Sequence, residues 1–547
     1  MKFSLIKRLL TLILAVPMCL CGLYCIPVSA KDNRDNEYDA KKAAYRAKIM
    51  ADDVTDDDFL IGSWVSFYSF YIDSYEDQLD QMAAAGINFN IFPMNFGGNS
   101  TYYAAYWDYV EQMYADRNMV YFMNGGMDAD LIASGVEYAD GKEHCIGYHV
   151  KDEPTGEELY TVSEQVKAYL KADPTRYPFV NLLPSYAGTS RLGGTYRYHV
   201  ETYVKTVGAE NIGYLSHDYY PFRSNGETKK EIFSDMEVIR SVAYENGKLK
   251  THGFPQSTAW SWTRMPNINE MRWNAYAYLA YGFKALSWFN LVCPGTSDTE
   301  GERFRDSLIY RDGTIRNQQL FDEWSELNWE IRGYSPVLMG LDTVHAYHVK
   351  QDVAGVECLP YDFFIQPGGG LENNFVVSYM ESKDGEETYI MLFNKDETSE
   401  QSCLFNIDEA EELKGLEYFD PHTGEYVDVD ISDGCIEGHF LAGEGKLYRL
   451  DYTSEDESGD KTESGPNSEG TESEPNSDST ESGPDSEGTE SEPDSESTER
   501  EPDGEKVKGT TQRVLPWVIG GVAAFVGVVV SAVVVTTVSL KRSRRKR

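Results

Sequence analysis

Residues 55–340 repeat one pattern eight times, in which a short apolar segment is followed by a longer amphipathic one. The short segments have the length of buried parallel strands, and the longer ones have helical periodicity: Leu79, Met82 and Ala83, for example, share one helical face. Eight strand–helix units of this size match a closed (β/α)8 barrel. An open doubly wound sheet is the alternative, but no glycine-rich phosphate-binding turn follows any strand. The pattern therefore predicts a TIM barrel of class α/β.

The repeat also predicts where each element of the barrel lies. The predicted strands cover residues 60–67, 87–94, 119–124, 146–152, 179–184, 212–219, 250–256 and 284–291. The predicted helices cover residues 74–85, 102–117, 129–137, 157–171, 196–207, 229–245, 268–281 and 318–332. Barrels of this kind carry their active sites at the carboxyl ends of the strands, so the candidates for chemistry are sought there.

A different pattern follows the barrel. Residues 346–452 contain short runs in which apolar and polar residues alternate, and turn-forming residues such as Pro421 and Gly424 separate them. Alternation of this kind is typical of strands with one buried face. The segment therefore predicts a small antiparallel β-sandwich domain. Its clearest predicted strands are residues 374–379, 388–393, 402–407 and 446–450.

Both ends of the chain have the composition of targeting and anchoring segments. Residues 1–30 combine a basic start, an apolar run and a small-residue end, which predicts a secretory signal peptide. Residues 514–540 are mostly apolar and carry no charge, which predicts one transmembrane helix, and the basic residues 541–547 predict a cytoplasmic tail. We therefore expect a single-pass protein of the cell membrane whose body is extracellular.

This layout resembles that of Gram-positive surface proteins anchored by sortases. The run Leu515-Pro516-Trp517-Val518 lacks the Thr-Gly of the sorting motif, so we expect a retained membrane helix at a Gram-positive cell surface. Residues 453–512 contain a nine-residue repeat of Ser, Thr, Glu, Pro and Gly, which predicts a disordered acidic stalk. The net charge of −41 argues against nucleic acid as a partner.

The fourth predicted strand ends in two adjacent acids, Asp152 and Glu153, which are followed by a proline. A pair of acids at the mouth of a barrel is the usual equipment for splitting glycosidic bonds. Asp218, at the end of the sixth strand, is a third candidate carboxylate. No cluster of residues has the spacing of metal ligands, and we expect no cofactor.

Aromatic and polar residues follow the other strands at the same end of the predicted barrel. Aromatic rings stack on the apolar faces of sugars, and amides, imidazoles and phenols bond sugar hydroxyls, so these residues are the candidates for binding a carbohydrate substrate. They are Trp64, Asn95, Asn124, His217, Tyr219, Tyr220, Gln256, Trp260, Trp288 and Asn290.

Three segments together resemble the retaining (β/α)8 glycoside hydrolases, above all the bacterial β-galactosidase-like barrels of the clan with catalytic acids on strands 4 and 7. They are the acid-Glu-Pro step at 152–154, Ser-His-Asp-Tyr-Tyr-Pro at 216–221 and Ala-Tyr-Gly-Phe-Lys-Ala-Leu-Ser-Trp-Phe at 280–289. The resemblance implies that Glu153 is the general acid/base. Two positions depart from that clan: Asp152 stands where Asn is usual, and Gln256 stands where a nucleophilic Glu is expected.

These departures leave three alternatives. Asp218 could be the second carboxylate. The pair Asp152 and Glu153 also resembles the Asp-Glu pair of enzymes that cleave N-acetylhexosaminides, in which the acetamido group of the substrate attacks. In the third alternative the barrel is a non-catalytic carbohydrate-binding surface protein. The expected function is an extracellular, membrane-anchored glycoside hydrolase, either retaining or substrate-assisted.

Overall fold

The computed structural model describes residues 30–65, 75–93, 104–260, 262–293, 304–350, 352–368, 374–408, 413–431 and 433–452. The predicted signal peptide (apart from Ala30), acidic stalk, transmembrane helix and basic tail lie outside the described residues. Within the described part of the chain, no helix has both the length and the apolar character needed to cross a membrane.

Eight parallel strands close into a barrel in the order β1 to β8, which confirms the predicted TIM barrel. The strands are β1 (Leu60–Val65), β2 (Phe89–Phe92), β3 (Val120–Asn124), β4 (Cys145–Asp152), β5 (Tyr177–Leu182), β6 (Leu215–Asp218), β7 (Thr251–Phe254) and β8 (Ala285–Trp288). The helices are α1 (Ala30–Ala51), α2 (Tyr75–Ala84), α3 (Ala104–Ala115), α4 (Ala129–Ala139), α5 (Leu159–Ala172), α6 (Tyr196–Val207), α7 (Ile232–Glu245), α8 (Ile268–Ala280) and α9 (Gln318–Leu338). Each of α2 to α9 corresponds to a predicted helix.

The barrel has an inner and an outer core because successive side chains of a strand point to opposite faces. Phe89, Phe122, Phe179 and Phe254 fill the inside. The side chains between them face the helices, where Tyr121, for example, belongs to the larger outer core. The inner core fills the barrel below the carboxyl ends of the strands, the end at which barrels of this kind bind their ligands.

Helix α1 has no counterpart in the predictions, since its sequence is strongly polar. It lies against α9: the hydroxyl of Tyr45 donates to the carbonyl of Gly333 at 2.8 Å, and the guanidinium of Arg46 lies 4.8 Å from the ring centre of Trp329. These partners are about 290 residues away in the sequence. The helix is therefore positioned by tertiary contacts, which a local sequence pattern does not reveal.

The residues after the barrel form two antiparallel sheets that share an apolar core, as the alternating pattern predicts. One sheet has six strands in the order β9-β11-β12-β17-β14-β15, and the other has three in the order β10-β13-β16. Their bounds are β9 (Leu341–His348), β10 (Ile365–Pro367), β11 (Phe375–Ser382), β12 (Thr388–Asn394), β13 (Gln401–Ile407), β14 (Leu413–Asp420), β15 (Glu425–Val429), β16 (Cys435–Phe440) and β17 (Gly445–Tyr452).

The central strand β12 of the six-stranded sheet is buried on both faces. In β12, Ile390 and Leu392 point into the core between the two sheets, whereas Met391 and Phe393 belong to the outer core of the barrel. The indole Nε1 of Trp273, on α8, also donates to the carbonyl of Lys395 at 3.0 Å. The sheet therefore packs directly on the helices of the barrel.

Candidate active site

A cavity of about 310 Å³ opens at the carboxyl ends of the barrel strands. This is the size of a site for a small ligand, and its walls combine acids with aromatic rings. The cavity is lined by Trp64, Asp152, Glu153, Asn181, Tyr186, Arg191, Asp218, Tyr220, Phe254, Trp260, Trp262, Phe289 and Phe304.

Asp152 reaches the cavity because β4 contains a bulge. The register of β4 against β5 shifts by one residue between His149 and Lys151. His149 contacts Trp64 inside the barrel, and simple alternation would turn a residue three positions later outward. The bulge reverses the alternation, so Asp152 also faces inward, where it lines the cavity.

Glu153 follows in an unusual backbone conformation, with a φ of 46°. Its amide donates to the carbonyl of Asn181 at 2.9 Å, which fixes the turn that carries its side chain to the cavity. One carboxylate oxygen, Oε2, lies 3.6 Å from Nη2 of Arg191. A left-handed backbone costs a non-glycine residue about 1–2 kcal/mol, and such outliers concentrate at functional sites.

Asp218 lies deeper than the other two acids. Its side chain is 5% exposed, and its Oδ1 has no hydrogen-bond partner among the described residues. Burial raises the pKa of this carboxyl well above its usual range, and the charges of Glu153 and Asp152 raise it further. Asp218 is therefore a carboxyl group whose surroundings favour the protonated form, and its Oδ1 is available to a ligand.

Asp152 lies in an intermediate environment. Its carboxyl group is open to the cavity, but the surrounding protein displaces much of the water, and the charge of Glu153 lies beside it. These two effects raise the pKa of Asp152 to about 6, against the opposing effect of a hydrogen bond from Nδ2 of Asn181 at 3.2 Å. Three neighbouring carboxyl groups thus differ in burial and in their partners.

Aromatic rings form the walls around these acids. The ring of Trp260 meets Tyr220 and Trp262 edge to face, with centroids 4.9 and 5.1 Å apart. At the rim, the guanidinium of Arg223 lies 4.2 Å from the ring centre of Trp262 and 5.3 Å from that of Tyr186. Flat rings beside hydrogen-bonding groups can bind a sugar, whose faces are apolar and whose edges carry hydroxyls.

Five of the predicted site residues line this cavity and form part of its chemistry or its walls. These five are Trp64, Asp152, Glu153, Asp218 and Tyr220; with Trp260, which also lines the cavity, six of the predicted site residues are found there. Asn95 lies outside the described residues. Asn124 ends β3 beside His149 but does not line the cavity.

Two predicted site residues face the helices instead. The indole Nε1 of Trp288 donates to Oδ1 of Asn328 on α9 at 2.9 Å, and its side chain is fully buried. His217 lies between Tyr278 and Phe283, where burial lowers the pKa of its imidazole to about 3. The prediction was wrong for both because neighbouring residues of a strand face opposite sides, and Asp218 and Ser287 take the inward positions.

Gln256 is also misassigned as a substrate-binding residue. Its side chain is fully buried, and its Oε1 accepts from the amide of Phe222 at 3.2 Å. Its Nε2 donates to the carbonyls of Thr258 at 3.1 Å and Arg264 at 2.8 Å. The amide therefore holds the loop after β7 together and leaves no hydrogen-bonding atom for a ligand.

Asn290 and Tyr219 likewise serve the surrounding structure rather than the cavity. Oδ1 of Asn290 accepts from the hydroxyl of Ser63 at 2.7 Å and the amide of Val65 at 3.2 Å, so this side chain ties the end of β8 to β1. Tyr219 is buried in the outer core, and its ring packs edge to face against the ring of Tyr186, with 5.0 Å between the ring centroids.

The predictions missed Asn181, Tyr186, Arg191 and three phenylalanines. Asn181 lies at the inner face of β5, where the alternation could have revealed it. Tyr186 and Arg191 lie in the loop after β5, in which Gly188 and Gly193 adopt left-handed conformations. A glycine-rich loop at the active end of a barrel is a signal that could have been used.

Among the described residues, no group of three or more His, Cys, Asp or Glu side chains is arranged to hold a metal ion. The groups that line the cavity are carboxyl groups, an amide, a guanidinium and aromatic rings.

No protein-family model matches the sequence, and no curated protein matches it. Several solved structures superpose on the chain with low scores. An Anoxybacillus α-amylase is 12% identical over 73% of this chain and 99% of its own, with a TM-score of 0.42. A family 5 glycoside hydrolase from Bacteroides vulgatus is 11% identical over 72% and 89%, with a TM-score of 0.41.

Proposed function

We propose that the chain is a glycoside hydrolase that cleaves O-glycosidic bonds of a glycan in the cavity at the mouth of the barrel. The observation that supports this is the convergence of Asp152, Glu153 and Asp218 in one aromatic-walled cavity. Glycosidic bonds are split by one carboxyl group that donates a proton and a second that attacks or activates water.

Asp218 is the proposed general acid. It is buried, it is the carboxyl group whose environment most strongly opposes ionisation, and its Oδ1 is free of partners among the described residues. A group in this state can hand a proton to a departing sugar oxygen. This assignment differs from the sequence-based one, which made Glu153 the general acid/base and Asp218 the second carboxylate.

Glu153 is the proposed ionised partner. Its side chain is 34% exposed and faces the cation of Arg191, so it has access both to the substrate and to water. It acts as the nucleophile if the anomeric configuration of the product is retained and as the base if it is inverted. The pair thus follows the general pattern in which unlike environments separate the roles of two acids.

The test uses aryl glycosides of a broad sugar panel, including 2-acetamido sugars, with one poor and one activated leaving group for each sugar. We expect Asp218→Asn to lose at least about 1,000-fold in kcat on poor leaving groups and far less on activated ones, which need no acid. We expect Glu153→Gln to lose activity on both. Glu164→Gln, an exposed carboxylate on α5, is the matched control and should retain full activity.

The opposite pattern, with Glu153→Gln rescued by good leaving groups, would return the acid to Glu153. Turnover restricted to 2-acetamido sugars would support the substrate-assisted mechanism. Glycan binding without hydrolysis by the unaltered protein would identify the third alternative, a carbohydrate-binding protein.

We also propose that this enzyme is exported and held at the cell surface by residues 514–540, as the composition of the two ends of the chain suggests. Deleting residues 514–547 should release the protein into the medium, whereas the full chain should stay with the membrane fraction. Recovery of the truncated protein inside the cell would contradict the proposal.

A further inference from the structure

A row of polar side chains runs around the inside of the barrel from Asp152. Asp152 on β4 pairs in register with Asn181 on β5, Asn181 with Ser216 on β6, and Ser216 with His252 on β7. Ser287 on β8 completes the row. The other four members of the row, Asn181, Ser216, His252 and Ser287, are all buried. The layer beneath them is formed by phenylalanine rings.

Each member of the row is hydrogen-bonded to the next. Asn181 Nδ2 lies 3.2 Å from Asp152 Oδ1, and Ser216 Oγ lies 3.1 Å from Asn181 Oδ1. His252 bonds on both sides, with Nδ1 at 2.9 Å from Ser216 Oγ and Nε2 at 2.9 Å from Ser287 Oγ. The four bonds form one uninterrupted chain across five strands.

The chemistry of the groups gives all four bonds the same direction. Only Nδ2 of Asn181 can donate to a carboxylate, so its Oδ1 must accept from the hydroxyl of Ser216. Ser216 has one proton to give and therefore accepts from Nδ1–H of His252. Burial keeps His252 neutral, with its pKa lowered to about 3, so Nε2 has no proton and accepts from Ser287.

We propose that Asn181, Ser216, His252 and Ser287 are positioning residues that hold Asp152 as an oriented, ionised carboxylate beside the two reacting acids. The catalytic role of Asp152 rests on the proposed function, whereas the effect of the hydrogen-bonded row on Asp152 does not. A buried histidine is costly unless its ring nitrogens are hydrogen-bonded, and both nitrogens of His252 are bonded within this row. The hydrogen-bonded row ends at Asp152, which is adjacent to Glu153 in the sequence.

Other titratable groups also lie near Asp152, and they affect its pKa together with the hydrogen-bonded row. Glu153 opposes its ionisation, Lys151 favours it, and the carboxyl group of Asp218 is its third titratable neighbour. The hydrogen bond from Asn181 favours the ionised form. Loss of that bond should therefore raise the pKa of Asp152, so that protonation begins at higher pH.

The experiment measures protonation of Asp152 directly in the whole protein. A diazoacetamide esterifies protonated carboxyl groups, and mass spectrometry of the peptide that contains Asp152 gives the extent of reaction at each pH. We expect a midpoint near pH 6 in the unaltered protein. We expect the midpoint to rise by about 0.5–1 unit in Ser216→Ala, which removes the donor that orients Asn181.

Two further variants separate positioning from a general loss of packing. Ser216→Thr keeps the hydroxyl and should restore the original midpoint. Ser163→Ala removes a fully buried serine hydroxyl from α5, outside the row, and should leave the midpoint unchanged. If Ser216→Ala does not fold, Ser287→Ala takes its place, with an expected shift in the same direction of less than half that size.

A midpoint that is the same in Ser216→Ala or its replacement as in the unaltered protein would overturn the proposal, as would an equal shift in Ser163→Ala. The acidic limb of the pH–rate profile should move with the esterification midpoint. A shifted midpoint in a protein that hydrolyses no glycan would disprove the proposed function and leave the positioning of Asp152 in place.

Discussion

Arg191 and Glu153 form an ion pair at the rim of the cavity, with 3.6 Å between Nη2 and Oε2. A second link lies next to it, because the carbonyl of Arg191 accepts from the amide of Gly156 at 2.8 Å. The loops after β4 and β5 are thus joined by one main-chain hydrogen bond and one side-chain ion pair. The position of Glu153 therefore depends on the neighbouring loop as well as on its own strand.

Replacing Arg191 with methionine should affect the substrate far more than the fold. An ion pair between side chains that are 52% and 34% exposed contributes only about 0–1 kcal/mol to stability. The guanidinium also presents donors to the cavity, so we expect KM to rise about tenfold while the melting temperature changes by less than about 2 °C. Steady-state kinetics and thermal unfolding measure the two effects, and a large fall in melting temperature would contradict this view.

The left-handed backbone at Glu153 should make asparagine more stable than alanine at that position. Asparagine tolerates a positive φ, and alanine does not, so we expect Glu153→Asn to exceed Glu153→Ala in unfolding free energy by about 1 kcal/mol. At Glu164, within α5, the order should reverse because alanine is the better helix former. Urea unfolding gives both differences, and the same order at both sites would show that no strain is present.

Introducing a carboxylate at position 256 should not create a nucleophile. Glutamine donates there to two main-chain carbonyls, whereas an ionised glutamate could only repel them. We expect Gln256→Glu to lose about 2–4 kcal/mol of stability and to gain no glycosidase activity. Chemical denaturation and the aryl glycoside panel test the two parts, and a stable, more active variant would mean that this side chain reaches the cavity.

Asp235 should make the protein less stable as the pH rises. This carboxyl lies on α7, is 1% exposed, and accepts from the amide of Ser185 at 2.8 Å. Burial raises its pKa from 3.8 to about 7 in the folded protein. The folded state therefore binds the proton more tightly than the unfolded state, so stability is lost as pH rises from about 4 to 7.

Asp235→Asn keeps a side-chain acceptor for Ser185 and removes the charge. Its gain in unfolding free energy over the unaltered protein should be near zero at pH 4 and grow to the order of 3 kcal/mol at pH 8. Unfolding free energies measured across this pH range give the comparison. A difference that is the same at every pH would assign the effect to packing.

Two tryptophans should behave oppositely when truncated. Trp262 is 36% exposed on the cavity wall, so Trp262→Ala should weaken glycan binding by about tenfold with little effect on stability. Trp288 is fully buried against α9, so Trp288→Ala should cost about 3–5 kcal/mol of stability. Binding measured calorimetrically, together with thermal unfolding, would distinguish them; equal losses of binding would place both rings at the cavity.

The sequence was sufficient to predict the barrel because each strand and helix has its own local periodicity. It was less informative about which side chains face the cavity. At β6, simple alternation from Asp218 separates Tyr220, which faces in, from His217 and Tyr219, which face out. At β4, alternation alone fails, since the bulge near Lys151 is a property of the pairing with β5.

The loop residues were hidden for a different reason. Tyr186 and Arg191 are brought to the cavity by the path of the loop between β5 and α6, and no strand position points to them. Gln256 was misread because its neighbours in space, Phe222 and Arg264, come from loops whose course the sequence does not reveal. Contacts between separate loops could not be predicted from the sequence alone.

The sheet that contains β11 and β12 has consequences for how the protein can be handled. Met391 and Phe393 pack among apolar residues of the barrel. A protein truncated after residue 340 would therefore expose an apolar surface along α8 and α9. Such a truncated product is expected to precipitate on expression. Anyone wishing to isolate the barrel, or to graft it onto another scaffold, would have to carry the trailing sheets with it.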